Sequence, residues 1–384
     1  MTQATAGPFC AAQLADFGAE VIHVERPEGD VTRQLYPSFA GTSTTYLSYN
    51  RNKKSMTLDL KTPLGRQLAR ELVEKCDILV ENNRPGVMDK LGLSYEDVRK
   101  LRPDIIYASI SGFGKTGPYQ KRAAYDGVIQ GMSGFMSLTG QEGGPYTKAG
   151  PSIADLISGL YGAFGIVLAV LQRHRTGEGG VVDCAMLDTM TAMVENAISA
   201  YLNAGVVYEP MGNRHPQSAL FGPMAAKDGE MMVCMQKETQ HQRLFALLGL
   251  PDLTQDERFN SSIARRRNID ALMAYIEPVT RQYTMAELSR MLEQENLPAG
   301  EIYTVAQVVE DPQIKARGNI IPITDPESGT YQIYGQPLKF SNIPPLEHAQ
   351  GAQLGQHNYE ILTEILGRTD EEARSLLQKM KGGS

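Results

Sequence analysis

Short apolar runs alternate with helix-period stretches through the first half of the chain. Phe9 to Phe17 has helical spacing and stops at Gly18, and Glu20-Val21-Ile22-His23-Val24-Glu25 reads as a strand closed by Arg26-Pro27. Pro63 at a first helical position leads into a helix over Leu64 to Cys76, and Asp77 to Glu81 reads as the next strand. Tyr95 to Leu101 is helical, and Asp104 to Ala108 is a strand that ends in a glycine-rich turn at Gly112. Strands alternating with helices predict a mainly parallel α/β sheet, and ligands of such sheets gather beyond the carboxyl ends of the strands.

Over 201–223 the pattern dissolves into Gly, Pro, Asn and Gln, which reads as a linker after a first part spanning 1–200. The segment 224–297 contains a Lys227-Asp228-Gly229 turn, a strand over Glu230 to Met235, and mainly helical pattern with Arg265-Arg266-Arg267. A second Pro- and Gly-rich stretch, 298–345, reads as a linker and return, and 346–384 closes with an amphipathic helical pattern over Asn358 to Lys381. Gly382-Gly383-Ser384 is left out of the fold.

A chain of 384 residues exceeds the size at which one core usually divides, so two domains are expected. The net charge of −7 argues against general nucleic-acid binding but leaves room for a local basic site for an anionic ligand. Cys10, Cys76, Cys184 and Cys234 are scattered, the pattern of reduced thiols in a cytoplasmic protein, and the six histidines form no zinc motif, so no metal is expected. The apolar stretch Leu156 to Leu171 is short for a bilayer and reads as a buried core helix, so no membrane partner is expected. The N-terminus lacks the pattern of a signal peptide.

Gly150-Pro151-Ser152-Ile153-Ala154-Asp155 opens that apolar helix. Ser152 with Asp155 three residues on matches a capping-box variant, the commoner use of this spacing. A carboxylate at a helix N-terminus is also held ionised by the dipole, as a nucleophile must be, so capping and catalysis both stand at this point. Gly114-Lys115-Thr116 resembles the end of a P-loop but lacks the glycine that should precede it, while Lys121 and Arg122 suit a solvated surface. Asn82, Asn83 and Arg84 directly follow a strand, where either a site or a plain turn fits.

Taken together and in order, a set of short motifs resembles the class III CoA-transferases, the family of formyl-CoA transferase and carnitine CoA-transferase. They are Ala6-Gly7-Pro8, Val24-Glu25-Arg26-Pro27, Asn50-Arg51-Asn52-Lys53-Lys54-Ser55, Leu58-Asp59-Leu60-Lys61, Val80-Glu81-Asn82-Asn83-Arg84-Pro85-Gly86, Tyr125-Asp126, Ala154-Asp155, His174-Arg175-Thr176-Gly177, Gly212-Asn213-Arg214-His215-Pro216 and Leu354-Gly355-Gln356-His357. The resemblance implies coenzyme A and acyl-CoA as substrates, with Asp155 as the nucleophile that passes through a mixed anhydride and an aspartyl-CoA thioester. It implies CoA contacts from Arg26, Leu58, Lys61, Asn82, Asn83, Lys90 and Tyr125, and a site for a small (di)carboxylate such as succinate near Gln3, Arg214 and His215. It further implies a large Rossmann-like α/β domain with a parallel sheet built from both chain ends, a smaller α+β domain from the middle, and an interlocked-ring homodimer.

Two departures bear on substrate. Asn83 stands where the family usually has an aromatic residue, and Gly212 to Pro216 stands where formyl-CoA transferase has a glycine run, which argues against formate and oxalate. A third concerns the fold: the family places one more strand before Ala6-Gly7-Pro8, so a central strand here is expected to go unpaired. Two other functions compete. An α-methylacyl-CoA racemase of the same fold needs a His-Asp pair where this chain has Tyr125-Asp126, and a non-catalytic CoA-binding protein would have no use for Asp155.

Overall fold

The computed structural model describes residues 1–215, 218–325, 329–343 and 348–382. The chain forms two compact units, one of Met1–Met136, Lys148–Val207 and Lys315–Ser384, the other of Ser137–Thr147 and Tyr208–Ile314.

In the first unit α1 (Ala6–Ala15) precedes β1 (Val21–Glu25), α2 (Thr44–Tyr49) precedes β2 (Lys53–Thr57), and α3 (Pro63–Lys75) precedes β3 (Ile78–Glu81). Then come α4 (Val87–Leu91), α5 (Tyr95–Leu101), β4 (Ile106–Ser111), α6 (Asp126–Met132), α7 (Ile153–Thr176), β5 (Gly180–Ala185), α8 (Met186–Ala192) and α9 (Glu195–Ala204). All pairing among β1 to β5 is parallel: β1 with β2, and β3–β4–β5 as a separate sheet. Local chemistry sets the helix starts. Thr62 accepts from the Gly65 N–H ahead of Pro63, and Ser94 and Asp97 form a reciprocal capping box.

β2 has no strand-like pattern in the sequence because its buried positions include Lys53 and Ser55. Hydrogen bonds make that burial tolerable. Lys53 Nζ donates to Pro8 O and Tyr49 O at 2.7 Å and to Asn50 Oδ1 at 2.9 Å, while Ser55 Oγ donates to Glu25.

The expectation of a parallel sheet built from both chain ends needs correction. Among the described residues every parallel strand lies before residue 186, and the C-terminal part adds instead an antiparallel hairpin, β9 (Ile320–Asp325) with β10 (Gly329–Tyr334). Its other contribution is to finish the outer edge of β2. Ser55 N–H donates to His357 Nδ1 at 3.1 Å, Thr57 N–H to Asn358 Oδ1 at 2.8 Å, and His357 N–H to Ser55 O at 3.1 Å. Side chains and one loop thus satisfy an edge that a further strand would otherwise have to cover. The closing helical pattern breaks at Gly367, and the last helix, α14, runs Asp370–Gly382.

The inner edges of β1 and β3 face a cavity of about 320 Å³ lined by Ile22, Val24, Leu72, Ile78, Val80 and Ile365, among others. Residues 1–3 occupy one end of it. The Met1 amine donates to Val80 O at 2.9 Å, Gln3 N–H donates to Asn82 Oδ1 at 2.9 Å, and His23 Nε2 lies 3.0 Å from Thr2 O. Burial lowers the pKa of the Met1 amine to about 6. The expected unpaired central strand is therefore visible as two facing edges with a partly filled gap.

The second unit carries an antiparallel sheet ordered β8 (Ala299–Glu301), β7 (Glu230–Cys234), β6 (Phe221–Ala225). α10 (Glu238–Leu247), α11 (Ser262–Arg267), α12 (Ile269–Thr280) and α13 (Met285–Gln294) accompany it, and Met231, Val233, Phe245, Leu272, Ile276 and Leu288 share its core. Arg265, expected only as part of a basic run, is buried and pairs with Glu238 at 2.5 Å.

The reading of Leu156 to Leu171 as a buried helix is also corrected. α7 has 24 residues, is long and apolar enough to cross a membrane, and has one third of its most apolar window buried. Its small residues Ala154, Ser158, Gly159, Gly162 and Ala163 face inward, while Leu160, Phe164, Leu168 and Leu171 are exposed. A side-chain carbon on Gly159 would lie 2.7 Å from Ala6 O, and one on Gly162 would lie 2.8 Å from Ile110, so these two positions admit no side chain.

If the cavity takes a strand, an extended apolar segment of about six residues appended ahead of Met1 should raise the melting temperature and protect the Ile22 and Ile78 amides from hydrogen exchange. Unchanged protection at both amides would show that the two edges do not accept one.

Candidate active site

α1 crosses α7 where Gly159 allows it, one turn beyond Asp155. Phe9 of α1 meets Tyr49 of α2 edge-on, with ring centroids 5.8 Å apart. Lys53 holds these two helices together through Pro8 O and Tyr49 O, and burial lowers its pKa to about 7. Burial and the Asp155 charge both raise the Tyr49 phenol, so Tyr49 lies within electrostatic reach of Asp155 as a neutral group.

The capping box expected of Ser152 and Asp155 is absent. Ser152, with ψ 67°, lacks the extended backbone usual at that position, and its side chain makes no cap bond. The cap comes from another helix: Asp126, at the start of α6, accepts the Ala154 N–H through Oδ1 at 2.8 Å. Gln130 donates to Asp126 Oδ2 at 2.7 Å and accepts the Ala149 N–H at 2.8 Å. Asp155 is thereby released from structural duty, and among the described residues its half-buried carboxylate has no hydrogen-bond partner.

Burial first, and the Asp126 charge second, push the Asp155 pKa up to about 6. The helix dipole favours the anion by only about 0.3–1 kcal/mol, less than the opposing effects. The dipole therefore does not set the balance, although the group is still mostly ionised at pH 7. Such a carboxylate is a poorly solvated anion, suited to nucleophilic attack.

The remaining predicted residues divide by location. Gln3 and Asn82 pair through backbone and amide beside the start of α1, where a side chain at Gly7 would collide with Asn82. Asn83 Nδ2 donates to Met1 O, and Asn83 lines a cavity of about 480 Å³ beyond the carboxyl ends of β3 and β4. Glu81, Arg84, Tyr107, Ser109, Lys115 and Lys121 also line it. Glu81 accepts from Ser109 Oγ at 2.5 Å and lies 3.8 Å from Lys115 Nζ, which sits 4.3 Å from the centre of the Tyr107 ring. The Tyr107 hydroxyl is buried without a partner. Lys115 and Lys121 line this cavity, which the sequence reading did not anticipate. Their signal was the glycine-rich loop that follows a strand.

Lys61 and Lys90 are exposed, and Tyr125 is 73% exposed at the start of α6. Arg26 turns back onto its own loop, donating to Gly29 O at 2.9 Å. Leu58 does not line a surface: it packs in the core with Met56, Leu68 and Leu72, because its strand end points it inward. Arg214 and His215 belong to the second unit, where Arg214 pairs with Asp270 at 3.1 Å and the His215 ring lies 4.8 Å from that of Phe221. Among the described residues no group of His, Cys, Asp and Glu is arranged to hold a metal ion.

Residues 1–358 match CoA-transferase family III. The chain belongs to this family. It is 37% identical to succinyl-CoA–D-citramalate CoA-transferase of Chloroflexus aurantiacus, over 97% of this chain and 94% of that one. It is 34% identical to human succinyl-CoA:glutarate CoA-transferase, over 98% of this chain and 86% of that one. A crystal structure of a CaiB/BaiF family protein from Brucella suis superimposes with a TM-score of 0.87 at 39% identity, covering 95% of this chain and 97% of that one. This family III protein is thus a CoA-transferase, with CoA thioesters as substrates and a mixed α/β fold with parallel sheets.

The raised pKa of Asp155 has a consequence for stability. Its folded value, about 6, lies above the ordinary carboxylate value near 4, so the folded chain holds this proton more tightly than the unfolded one. The group's favourable contribution is present below about pH 4 and is lost as pH rises through about 6. Asp155→Asn should therefore be more stable than the parent at pH 7.5, by about 1–2 kcal/mol, with the gain gone at pH 4. Denaturant melts at both pH values check this, and a gain that is equal at the two would contradict it.

Proposed function

We propose that this CoA-transferase exchanges CoA between small dicarboxylic acids with Asp155 as the covalent nucleophile. The observation that carries the reading is the half-buried Asp155 carboxylate, left without a hydrogen-bond partner because Asp126 caps α7 in its place. An Asp155 oxygen attacks the acyl carbon of the donor thioester, the C–S bond breaks, and the electron pair leaves with CoA thiolate. The thiolate then attacks the Asp155 carbonyl of the mixed anhydride, the C–O bond breaks, and the donor acid departs as its carboxylate. The acceptor acid runs the two steps in reverse. The thioester's free energy is conserved provided water is excluded from the site.

The names of the relatives, which act on succinyl-CoA with citramalate or glutarate, support dicarboxylates. The cavity with Asn83, Lys115 and Lys121 supports a path for the anionic CoA arm, and Lys61, Lys90 and Arg26 are exposed cations. Cys10, Cys76, Cys184 and Cys234 are free thiols, which suits a reducing, cytoplasmic setting.

Asp155→Ala should reduce succinyl-CoA:glutarate exchange by at least about 10³-fold with CoA affinity retained, as for loss of a covalent nucleophile. Intact mass spectrometry of the parent with succinyl-CoA should detect an adduct that is absent from the variant. Substantial exchange by the folded variant would exclude the covalent role. Enzyme-dependent deuterium incorporation at the α-carbon of a 2-methylacyl-CoA in heavy water would favour the racemase reading.

For assembly, the proposal is an interlocked-ring homodimer. The chain leaves the first unit and returns to it, and α7 and α9 expose Leu160, Phe164, Leu168, Leu171, Tyr201 and Leu202. Monomeric surfaces rarely expose large apolar patches. Sedimentation should find a dimer down to nanomolar concentration, with dissociation and unfolding coincident in denaturant. A folded monomer on dilution would rule out interlocking.

A further inference from the structure

Asp126 and Gln130 stand one turn apart on α6, and neither is explained by the chemistry at Asp155 alone. Gln130 is fully buried and uses both ends of its amide. Nε2 holds Asp126 Oδ2, and Oε1 takes the N–H of Ala149, in the segment that leads into α7. With one oxygen on Gln130 and the other on Ala154, the Asp126 carboxylate cannot rotate away or find a cation. We infer that Gln130 is a positioning residue for CoA exchange: it locks the Asp126 carboxylate beside Asp155, where a fixed like charge favours the acylated, uncharged forms of Asp155 over its free carboxylate.

This inference rests on the reading of Asp155 as the nucleophile. Attack on the thioester converts the Asp155 anion into a neutral anhydride, and the negative charge leaves with the thiolate. A neighbouring fixed anion raises the energy of the starting state and not that of the neutral adduct, so it shifts the equilibrium toward the adduct. Other neighbours do not supply that charge. From α2 the facing titratable group is Tyr49, neutral with a raised pKa. α1 presents Phe9 and the raised thiol of Cys10, and α8 presents Met186, Thr189 and Met190. Burial still makes the largest contribution to the raised Asp155 pKa, and Asp126 adds to it.

The test uses the full-length protein with succinyl-CoA and glutarate and reads the acid limb of the kcat/KM pH profile together with the adduct fraction by intact mass. In the parent the limb should lie near the Asp155 value of about 6. D126N keeps an oxygen able to accept the Ala154 N–H and removes the charge, so the limb should move toward about 4 and the adduct fraction should fall several-fold. Q130M, which frees Asp126 to turn, should move both in the same direction by less. Should Q130M fail to fold, D126N alone decides. An acid limb and adduct fraction unchanged in D126N, with parent-like melting, would overturn the inference while leaving Asp155 as nucleophile. Exchange and adduct formation that persist in Asp155→Ala would instead remove the reading on which it rests.

Discussion

A single hydrogen bond between helices organises the site. The Ala154 N–H at the start of α7 is satisfied by Asp126 of α6, and not by the residues that precede it in sequence. Free N–H groups at a helix start require an acceptor. Had Ser152 and Asp155 supplied it, the carboxylate at 155 would be a solvated, hydrogen-bonded cap with little reactivity. Because Asp126 fills that role, Asp155 is left half-buried and unpartnered, and its pKa is pushed up to about 6. Asp126 on one helix takes the cap, and Asp155 on the other is left outside it.

That arrangement depends on how closely α7 can approach the rest of its unit. Gly159 and Gly162 let α1 and β4 come within contact of the helix backbone, and larger residues there would push the first turn away from Phe9 and Tyr49. Lys53 fixes α1 and α2 from the other side through the carbonyls of Pro8 and Tyr49. The cost of burying a lysine is offset by three hydrogen bonds, consistent with a pKa lowered to about 7 and not further.

The sheet shows the same economy at its edges. β2 is finished by His357 and Asn358 from the far end of the chain, whereas the facing edges of β1 and β3 are bridged only where residues 1–3 reach between them.

By itself the sequence determined the alternation of helices and strands, several element boundaries to within a few residues, the family and the identity of the nucleophile candidate. Period and punctuation are local properties, and an ordered set of motifs survives without any knowledge of contacts. β2 escaped notice because its buried lysine and serine are stabilised by distant acceptors that periodicity cannot register. The outward face of α7 was equally hidden, since composition gives apolarity but not which side finds a partner. Only the tertiary structure showed that Ser152 and Asp155 do not cap their own helix. The spacing of Ser152 and Asp155 fits a cap, but the acceptor used, Asp126, lies 28 residues from Ala154 in sequence and 2.8 Å from its nitrogen in space.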